Sequence, residues 1–303
     1  MRCRVCSSAS VIMYGATRCS RSATENIGTC GNRFLYRCRD CGSITVDPTP
    51  TDAGLKNYYS NYAANADVLC DWKRRKSFKL LSEFCARSAN GAILDIGCAD
   101  GRLLSMLPPG FRKYGIDVAE NACETARSKG VNVICSTLDS AEISERFDII
   151  IALDFIEHTA DPGAALKTIS SLLTPGGHVI IETGNARSFT ARTLKEDWFY
   201  TAVYGHLCVL SPEALVSLAG KHGIRQVMVE YGRHETPAVL PFVLRNVLAY
   251  GFHLFRLMYP AVNISGGEGL LKKLYLHSPP WTLNSDHMIF LGRKLNQTQD
   301  QPA

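Results

Sequence analysis

Four cysteines near the start of the chain have the spacing of metal ligands. They form two pairs, each with two residues between its members: Cys3, Cys6, Cys38 and Cys41. Two tight turns of this kind can present four thiolates to one zinc ion, and the polar segment between the pairs is too small to form a core without a metal. We therefore predict a structural zinc site at these cysteines. Cys19 and Cys30 lie between the pairs and could replace one of the ligands.

A glycine-rich turn in the segment 91–117 has the features of a nucleoside site. Asp117 ends the second apolar run of this segment, roughly 20 residues after the first, where an acid commonly holds ribose hydroxyls. The pattern Asp95-x-Gly97-x-x-x-Gly101 lacks the third glycine that a dinucleotide requires. The carboxylate of Asp95 would repel a pyrophosphate, but it suits a cofactor with an ammonium group and no phosphate. S-adenosylmethionine is such a cofactor.

The pattern of apolar runs predicts the elements that must position these residues. Short apolar runs bounded by turn residues predict seven strands: 92–96, 114–116, 131–135, 148–153, 178–182, 224–231 and 288–292. Helical patterns separate most of them, and Ser211 followed by Pro212 marks one helix start. The alternation predicts a doubly wound α/β sheet, which binds ligands at the carboxyl ends of its strands.

Several segments resemble the class I S-adenosylmethionine-dependent methyltransferases. Residues 94–101 (LDIGCADG) resemble the first motif of that family, residues 147–162 (FDIIIALDFIEHTADP) its fourth strand, and residues 173–182 (LTPGGHVIIE) the turn into its fifth. The resemblance implies a seven-stranded Rossmann-like sheet whose last strand inserts antiparallel between the fifth and sixth. It also implies a set of cofactor-binding residues: Asp95, Gly97, Cys98, Gly101, Asp117, Val118, Thr137, Leu138 and Asp154.

The start of the chain is similar to the zinc-binding front end of a methyltransferase group associated with cell-surface sugar and polysaccharide modification. The similarity rests on the second cysteine pair, the Pro48-x-Pro50 segment and three tyrosines that follow: Tyr58, Tyr59 and Tyr62. It implies three parts: a zinc-ribbon-like domain at 1–50, a helical connector at 51–90 and a methyltransferase domain at 91–303. The tyrosines could stack on a sugar acceptor or pack the ribbon onto the core.

A hydroxyl acceptor would need a base close to the transferred methyl group, and histidine suits that task near neutral pH. The acceptor implied by the resemblance is a small molecule or glycan, including a nucleotide-linked or lipid-linked sugar. We predict His206 as the base, although related enzymes often carry a Glu-His pair where this chain has Gly205-His206. His158 is the alternative base, or it could only orient the helix that follows. Tyr204 or Tyr200 is expected to orient the acceptor.

The charge of the chain argues against nucleic acid as its partner. The formal net charge is +5 over 303 residues, and the only tight basic cluster, residues 73–76, is interpreted as a solvated helix face. An RNA methyltransferase remains the alternative, since the zinc-ribbon region contains five arginines: Arg2, Arg4, Arg33, Arg37 and Arg39. A second alternative is a non-catalytic scaffold that only binds the cofactor. Ala99 is the only visible departure in the first motif, and it leaves the acid and the glycines in place.

Cysteine usage and hydropathy predict a cytoplasmic protein. The chain has twelve cysteines, does not start with an apolar run, and contains no apolar stretch long enough to span a bilayer. An insertion is expected at about 236–283, and its segment 241–259 is apolar except for one polar arc. This segment is either a lid on the catalytic core or a contact to a membrane surface or partner. The sequence leaves the oligomeric state open.

Overall fold

The structure is a computed structural model that describes residues 1–16, 33–65, 75–87, 90–232 and 286–296. The insertion predicted at 236–283, including its apolar segment 241–259, lies outside the described residues. So do Cys19 and Cys30.

The chain begins with a small antiparallel sheet. Strands β1 (Val11–Ala16), β2 (Phe34–Cys38) and β3 (Ile44–Asp47) pair in this order. We refer to residues 1–16 and 33–47 as the N-terminal module. Two helices, α1 (Asp52–Asn65) and α2 (Lys76–Arg87), lie between this module and the central sheet in chain order.

The central part of the chain alternates strands and helices. In chain order the elements are β4 (Gly91–Ile96), α3 (Arg102–Ser105), β5 (Phe111–Asp117), α4 (Glu120–Ser128), β6 (Asn132–Cys135), β7 (Phe147–Leu153), α5 (Pro162–Leu172), β8 (Leu173–Gly184), α6 (Phe189–Leu194), α7 (Phe199–Ala202), β9 (Cys208–Val209), α8 (Pro212–Lys221), β10 (Ile224–Gly232) and β11 (His287–Lys294). Seven of the strands form one sheet in the order β10-β11-β8-β7-β4-β5-β6. Strand β11 is antiparallel to both of its neighbours. The sheet and the place of its antiparallel strand confirm the expected α/β architecture.

The parallel strands form because their residues are apolar on both faces, as strands covered by helices on each side must be. Leu94 and Ile150 pack in one core cluster, whereas their chain neighbours Ile93 and Ile151 pack in another on the opposite face. Side chains cap three of the helices listed above, namely Asp161 at α5, Ser188 at α6 and Ser211 at α8. Ser211 caps α8, and its hydroxyl accepts a hydrogen bond from the backbone N–H of Ala214.

The N-terminal module and the methyltransferase region share a sheet. Strand β9 pairs antiparallel with β3, with Thr45 opposite Cys208, and it forms the fourth strand of the small sheet. The side chains of Cys3 and Cys38 belong to the same buried cluster as the core of the central sheet. The two regions are therefore separate along the chain but packed together in the structure. The predicted domain boundaries stay predictions.

None of the helices in the parts of the chain described above combines the length and the apolar character that crossing a membrane would require.

Candidate active site

The cofactor loop follows β4 and is tied to the end of β5. The backbone N–H groups of Gly97 and Cys98 both donate to the carbonyl of Ile116, at 2.8 and 3.1 Å. Gly97 has φ +81°, a conformation that glycine adopts without strain. Gly101 has φ +70°, and a Cβ at this position would lie 2.8 Å from the Cβ of Ala126. The two glycines therefore allow the sharp turn and the close packing of α3 on α4.

Asp117 closes this loop with both of its carboxylate oxygens. One oxygen accepts from the backbone N–H of Ala99 at 2.8 Å, and the other accepts from Ala119 at 2.9 Å. Ala99 has φ +45°, which is uncommon for a residue with a side chain, and the bond to Asp117 holds it there. Each carboxylate oxygen has a second acceptor position, so Asp117 keeps the capacity to bind two hydroxyl groups.

Apolar and polar side chains flank Asp117 at the same edge of the sheet. The apolar side chain of Val118 is 41% exposed, which is unusual for a residue beside a buried strand. Thr137 is exposed after β6, and Leu138 is buried. Cys98 is buried with its thiol against Gly115 of β5, where a Cβ would lie only 2.5 Å from Sγ. Its side chain therefore packs between the loop and the sheet.

Asp95 lies under the loop and is only 4% exposed. Burial is the main reason that the pKa of its carboxyl is raised to about 7, and the negative charge of Asp117 adds to the effect. A carboxyl group in this setting would ionise more readily beside a cation.

Asp154 follows β7 and pairs with an arginine that the sequence did not place here. The Arg75 guanidinium donates to Oδ2 of Asp154 at 2.6 Å and lies 4.0 Å from a carboxylate oxygen of Glu182. The side chain of Arg75 is 1% exposed, so the prediction that the basic cluster 73–76 is a solvated face is wrong for this residue. Asp154 has φ +51°, a strained backbone conformation at the end of a strand.

Two histidines and a glutamate converge beyond the end of β7. One ligand-type atom from each of Glu157, His158 and His206 lies within 4.8 Å of those from the other two. Nε2 of His206 is 4.0 Å from Oε1 of Glu157, and the two histidine rings are 4.7 Å apart. The structure thus brings together the two histidines that the sequence offered as alternative bases. We refer to these three residues as the histidine cluster.

Glu157 is the buried centre of this cluster. The Tyr200 hydroxyl donates to Oε1, and the Thr183 hydroxyl donates to Oε2 at 2.8 Å. Burial and the nearby charge of Asp154 raise the pKa of Glu157 to about 7, although these two hydrogen bonds act in the opposite direction.

The hydrogen bonds of the two imidazoles assign their tautomers. Nδ1 of His206 lies 2.6 Å from the carbonyl of Tyr200, and Nδ1 of His158 lies 3.0 Å from that of Gly205. A carbonyl only accepts, so Nδ1 carries the proton in both rings and Nε2 keeps its lone pair. Burial lowers the pKa of His158 to about 4 and holds the pKa of His206 well below its usual range. Both imidazoles are therefore neutral at pH 7.

Gly205 is required by the packing around the histidines. A Cβ at this position would lie 2.8 Å from Nδ1 of His158, 2.9 Å from the Tyr58 ring and 3.1 Å from the Tyr59 hydroxyl. A glutamate at this position, as in the Glu-His pair of related enzymes, would not fit. In this chain the carboxylate nearest to the predicted base comes instead from Glu157.

The tyrosines fall into two groups. Tyr200 contacts the histidine cluster, because its hydroxyl binds Glu157 and its ring lies 4.2 Å from that of His206. The ring of Tyr204 packs against Tyr58 at 5.6 Å, and its hydroxyl lies beside Gly54 of α1. The Tyr59 hydroxyl is 3.0 Å from Nδ1 of His158. Tyr59 therefore reaches the site, whereas Tyr58 and Tyr204 pack α1 against the segment that carries Gly205 and His206.

Sequence reasoning missed three contributors to this site: Thr183, Arg75, and Arg33, whose guanidinium donates to the backbone carbonyls of Tyr204 and His206. Thr183 directly follows the predicted strand 178–182, so its place at the carboxyl edge of the sheet was a usable signal. Arg33 and Arg75 carry no local pattern that distinguishes them from solvent-exposed arginines.

The four cysteines of the N-terminal module also converge. Their sulfur atoms all lie within 4.8 Å of one another, with Cys3 to Cys41 at 3.7 Å and Cys6 to Cys38 at 3.6 Å. Disulfide sulfurs are about 2.05 Å apart, so neither pair is a disulfide. Four sulfurs placed tetrahedrally at about 2.3 Å from a zinc ion are about 3.8 Å from one another. The spacing therefore fits a tetrahedral metal site.

The two cysteine turns have the same backbone design. The N–H of Ser7 donates to the carbonyl of Cys3 at 2.8 Å, and that of Gly42 donates to the carbonyl of Cys38 at 3.0 Å. The residue after each second cysteine has positive φ, +62° at Ser7 and +75° at Gly42. Each turn thereby directs two thiols toward the same point.

The comparisons with known proteins agree with this geometry. Residues 68–228, more than half of the chain, match the family model described as "Methyltransferase domain". The chain belongs to this family, and the matched residues include the cofactor loop and the five parallel strands of the central sheet, β4 to β8.

Curated relatives are enzymes named ubiquinone biosynthesis O-methyltransferase. The relative from Proteus mirabilis is 31% identical over 120 residues, which are 37% of this chain and 46% of that protein. The relative from Serratia proteamaculans is 34% identical over 171 residues, 51% of this chain and 70% of that protein. The chain spans about half the length of the first relatives that it matches.

Solved structures share the fold. A chain of the complex between the Haloferax volcanii Trm112 methyltransferase activator and a putative methyltransferase has a TM-score of 0.53 at 13% identity, covering 78% of this chain and 98% of that one. The [4+2]-cyclase SpnF has a TM-score of 0.53 at 17% identity, covering 82% and 98%. At these identities the likeness concerns the fold alone. Together with the family match, it defines an S-adenosylmethionine-dependent methyltransferase domain with a Rossmann-like sheet.

Proposed function

We propose that the chain transfers the methyl group of S-adenosylmethionine to a hydroxyl group of a small-molecule or glycan acceptor, such as a nucleotide-linked or lipid-linked sugar. The observation that carries this proposal is the neutral His206, whose Nε2 faces the buried carboxyl group of Glu157 at the carboxyl edge of the sheet. Phe155, two residues before Glu157 in the chain, packs beside Gly97 of the cofactor loop. The histidine cluster is therefore next to this loop.

The cofactor supplies an electrophilic methyl group. Among the residues that would hold it, Asp117 would bind the ribose hydroxyls, Val118 and Leu138 would contact the adenine, and Asp95 would pair with the ammonium group. Gly97 and Val118 are both exposed at this edge of the sheet, which supports these contacts.

His206 acts as the base in this mechanism. Nε2 of His206 would take the proton of the acceptor hydroxyl, so that the oxygen could accept the methyl group that S-adenosylmethionine would supply. The imidazolium that forms lies beside Glu157, whose ionised form is favoured by the new positive charge. Tyr200 and Thr183 hold the carboxylate in place through hydrogen bonds. His158 is the alternative base, and Tyr59 or Tyr200 orients the acceptor.

The names of the curated relatives support an oxygen acceptor, since the relatives from both bacteria are O-methyltransferases. The RNA alternative loses part of its support. Arg33 is buried and Arg37 is half-buried with its guanidinium against Tyr14, so these two arginines are not presented on a basic surface.

We also propose that the four cysteines hold one structural zinc ion. The thiolate donor set and the sulfur spacing both suit this metal. Four protein ligands leave no open position for substrate, so the ion would stabilise the module rather than take part in methyl transfer.

The acceptor class is tested by incubating the purified full chain with S-adenosylmethionine labelled in its methyl group and panels of glycans, nucleotide sugars, lipid-linked sugars, phenols and amines. We expect label in a hydroxyl-bearing acceptor, detected as a methyl mass increase, and a linkage that survives conditions which cleave esters. When the base is later tested with His206→Gln, His222→Gln serves as the matched control, since His222 lies at the end of α8, away from the histidine cluster. Labelling of amines alone would overturn the proposal.

A further inference from the structure

The backbone that carries His206 is held by Arg33, an arginine of the N-terminal module. The Arg33 guanidinium donates to the carbonyl of Tyr204 at 2.9 Å and to that of His206 at 3.4 Å. It also lies 5.3 Å from the centre of the Tyr204 ring. Arg33 is 4% exposed, so this contact is inside the protein. Burying a guanidinium is costly, and fixed carbonyl partners of this kind are needed to offset the cost.

Three successive carbonyls of the loop that carries His206 each accept a hydrogen bond. Arg33 binds the carbonyls of residues 204 and 206, and His158 binds the carbonyl of Gly205 between them through its Nδ1. Fixing the outer carbonyls fixes the direction of the central one. The same bond to Gly205 assigns the proton of His158 to Nδ1. Arg33 thus acts on both histidines without touching either ring.

The loop continues directly into the sheet of the N-terminal module. The carbonyl of Leu207 accepts from the N–H of Val46 at 3.0 Å, while the N–H of Leu207 donates to the carbonyl of Glu157 at 2.8 Å. The Ser211 hydroxyl donates to the carbonyl of Cys41 at 2.6 Å. The segment from Tyr204 to Ser211 is therefore clamped between the module and the methyltransferase core.

We propose that Arg33 is a positioning residue for the methyl-transfer reaction, and that the N-terminal module uses it to hold His206 against Glu157. This inference rests on the proposed role of His206. It assigns the module a part in catalysis, because the loop that presents the base is completed by hydrogen bonds from the module. A lysine cannot replace Arg33, because its single ammonium group cannot span two carbonyls as the planar guanidinium does.

The test compares Arg33→Lys and Arg33→Gln with Arg37→Gln. Arg37 is a matched control, since it belongs to the same module and its guanidinium also lies 5.3 Å from a tyrosine ring, that of Tyr14. Its contacts are to Tyr14 and the carbonyl of Ala186, outside the loop. Each variant is examined without an acceptor, by hydrogen exchange of the amides of residues 206 and 207, by NMR titration of the histidine rings and by calorimetry with S-adenosylhomocysteine.

We expect exchange at these two amides to accelerate at least about 10-fold in both Arg33 variants, because the loop opens locally. Water would then reach the His206 ring, and the pKa of His206 would rise by at least about half a unit toward its usual value. The groups that face this ring and influence the same titration are Glu157, His158, Tyr200, Asp154 and His287. Affinity for S-adenosylhomocysteine and the metal content should stay within about twofold of the unmodified protein.

Two results would overturn the inference: a His206 titration and amide exchange in Arg33→Lys that match the unmodified protein, or equal changes in Arg37→Gln. If Arg33→Gln does not fold, Arg33→Lys alone decides, since it retains the charge. Failure of the proposed function is distinct. It appears as no methyl transfer to hydroxyl acceptors by the unmodified chain, whereas the loop measurements report only on Arg33.

Discussion

The cofactor loop and the histidine cluster lie at the same edge of the central sheet, but they are built from different kinds of contact. The loop is held by the strand that directly follows it in the chain: the N–H of Gly97 donates to the carbonyl of Ile116, and the N–H of Ala99 donates to the carboxylate of Asp117. The histidine cluster is held by residues from distant parts of the chain: Tyr59 on α1, Thr183 on β8 and Arg33 in the N-terminal module.

This difference predicts how the two regions respond to change. The contacts of the cofactor loop described above are to β5 and to α4, not to the N-terminal module, so the loop should survive damage to that module. The histidine cluster needs the module, because Arg33 and Val46 complete the loop that carries His206. Damage to the module should therefore reduce methyl transfer more than cofactor binding.

The largest effect is expected from removing a proposed zinc ligand. Cys38→Ser should lose the metal and unfold the N-terminal module, since binding of a structural zinc contributes on the order of 10 kcal/mol to folding in small zinc domains. Turnover should fall far more than affinity for S-adenosylhomocysteine. Metal analysis, circular dichroism and calorimetry on the same preparation provide the three readouts.

Cys135→Ser is the control for this change, because Cys135 lies on β6 outside the cysteine cluster. A Cys38→Ser protein that retains one zinc per chain would refute the four-cysteine site. Equal losses of turnover and cofactor affinity would contradict the claim that the histidine cluster depends on the module more than the cofactor loop does.

The next effect concerns the base. His206→Gln should lower turnover at least about 100-fold, the usual contribution of general base catalysis, and should leave cofactor affinity unchanged. Steady-state kinetics with the acceptor from the labelling screen measures the first quantity, and calorimetry measures the second. If only His158→Gln lowers turnover, the base is His158. If neither substitution does, the acceptor is a better nucleophile than a hydroxyl group.

A smaller effect is expected at the cofactor loop. Asp117→Ala should weaken binding of S-adenosylhomocysteine by about 2 kcal/mol or more, since charge-assisted hydrogen bonds to the ribose are lost and Ala99 loses its anchor. Asp100→Asn is the control in the same loop. Asp100 pairs with Lys129 and Arg102 at the surface, away from the ribose position, so its replacement should change affinity little. Similar losses in both variants would contradict the assignment.

The smallest effect concerns the buried Asp95. Its pKa of about 7 exceeds the ordinary value of 3.8, so the unfolded state binds fewer protons between these values. The free energy of unfolding of the cofactor-free protein should therefore fall as pH rises from about 4 to 7. Asp95→Asn should remove this pH dependence and stabilise the cofactor-free protein at pH 8, which denaturant unfolding at pH 5 and pH 8 would measure.

The same substitution should weaken cofactor binding, because the ammonium group loses its carboxylate. In the unmodified protein, affinity should increase as pH rises through about 7, with release of a proton that calorimetry in two buffers can count. An affinity that does not change between pH 6 and 8 would argue that Asp95 does not face the ammonium group.

Local patterns were sufficient to predict the architecture. The apolar runs and the glycine turn predicted the α/β sheet, the antiparallel place of the last strand followed from the resemblance, and the family match confirms the methyltransferase domain. The cysteine spacing predicted which four thiols would meet, and they do. These features are accessible because each depends on residues close together in the sequence or on a repeated period.

The tertiary structure alone decided how the catalytic half is assembled. Tyr200 and Glu157 are 43 residues apart, Tyr59 and His158 are 99 apart, and Arg33 and Tyr204 are 171 apart. No local pattern specifies such pairs, because they depend on how separate elements pack. Burial also set the protonation of the site, since exclusion of water by the surrounding elements is the main reason that the pKa values of Glu157, His158 and His206 are shifted. The sequence by itself determined the sheet, the cofactor loop and the identity of the candidate ligands. Packing determined which carboxylate faces His206 and which arginine holds its loop.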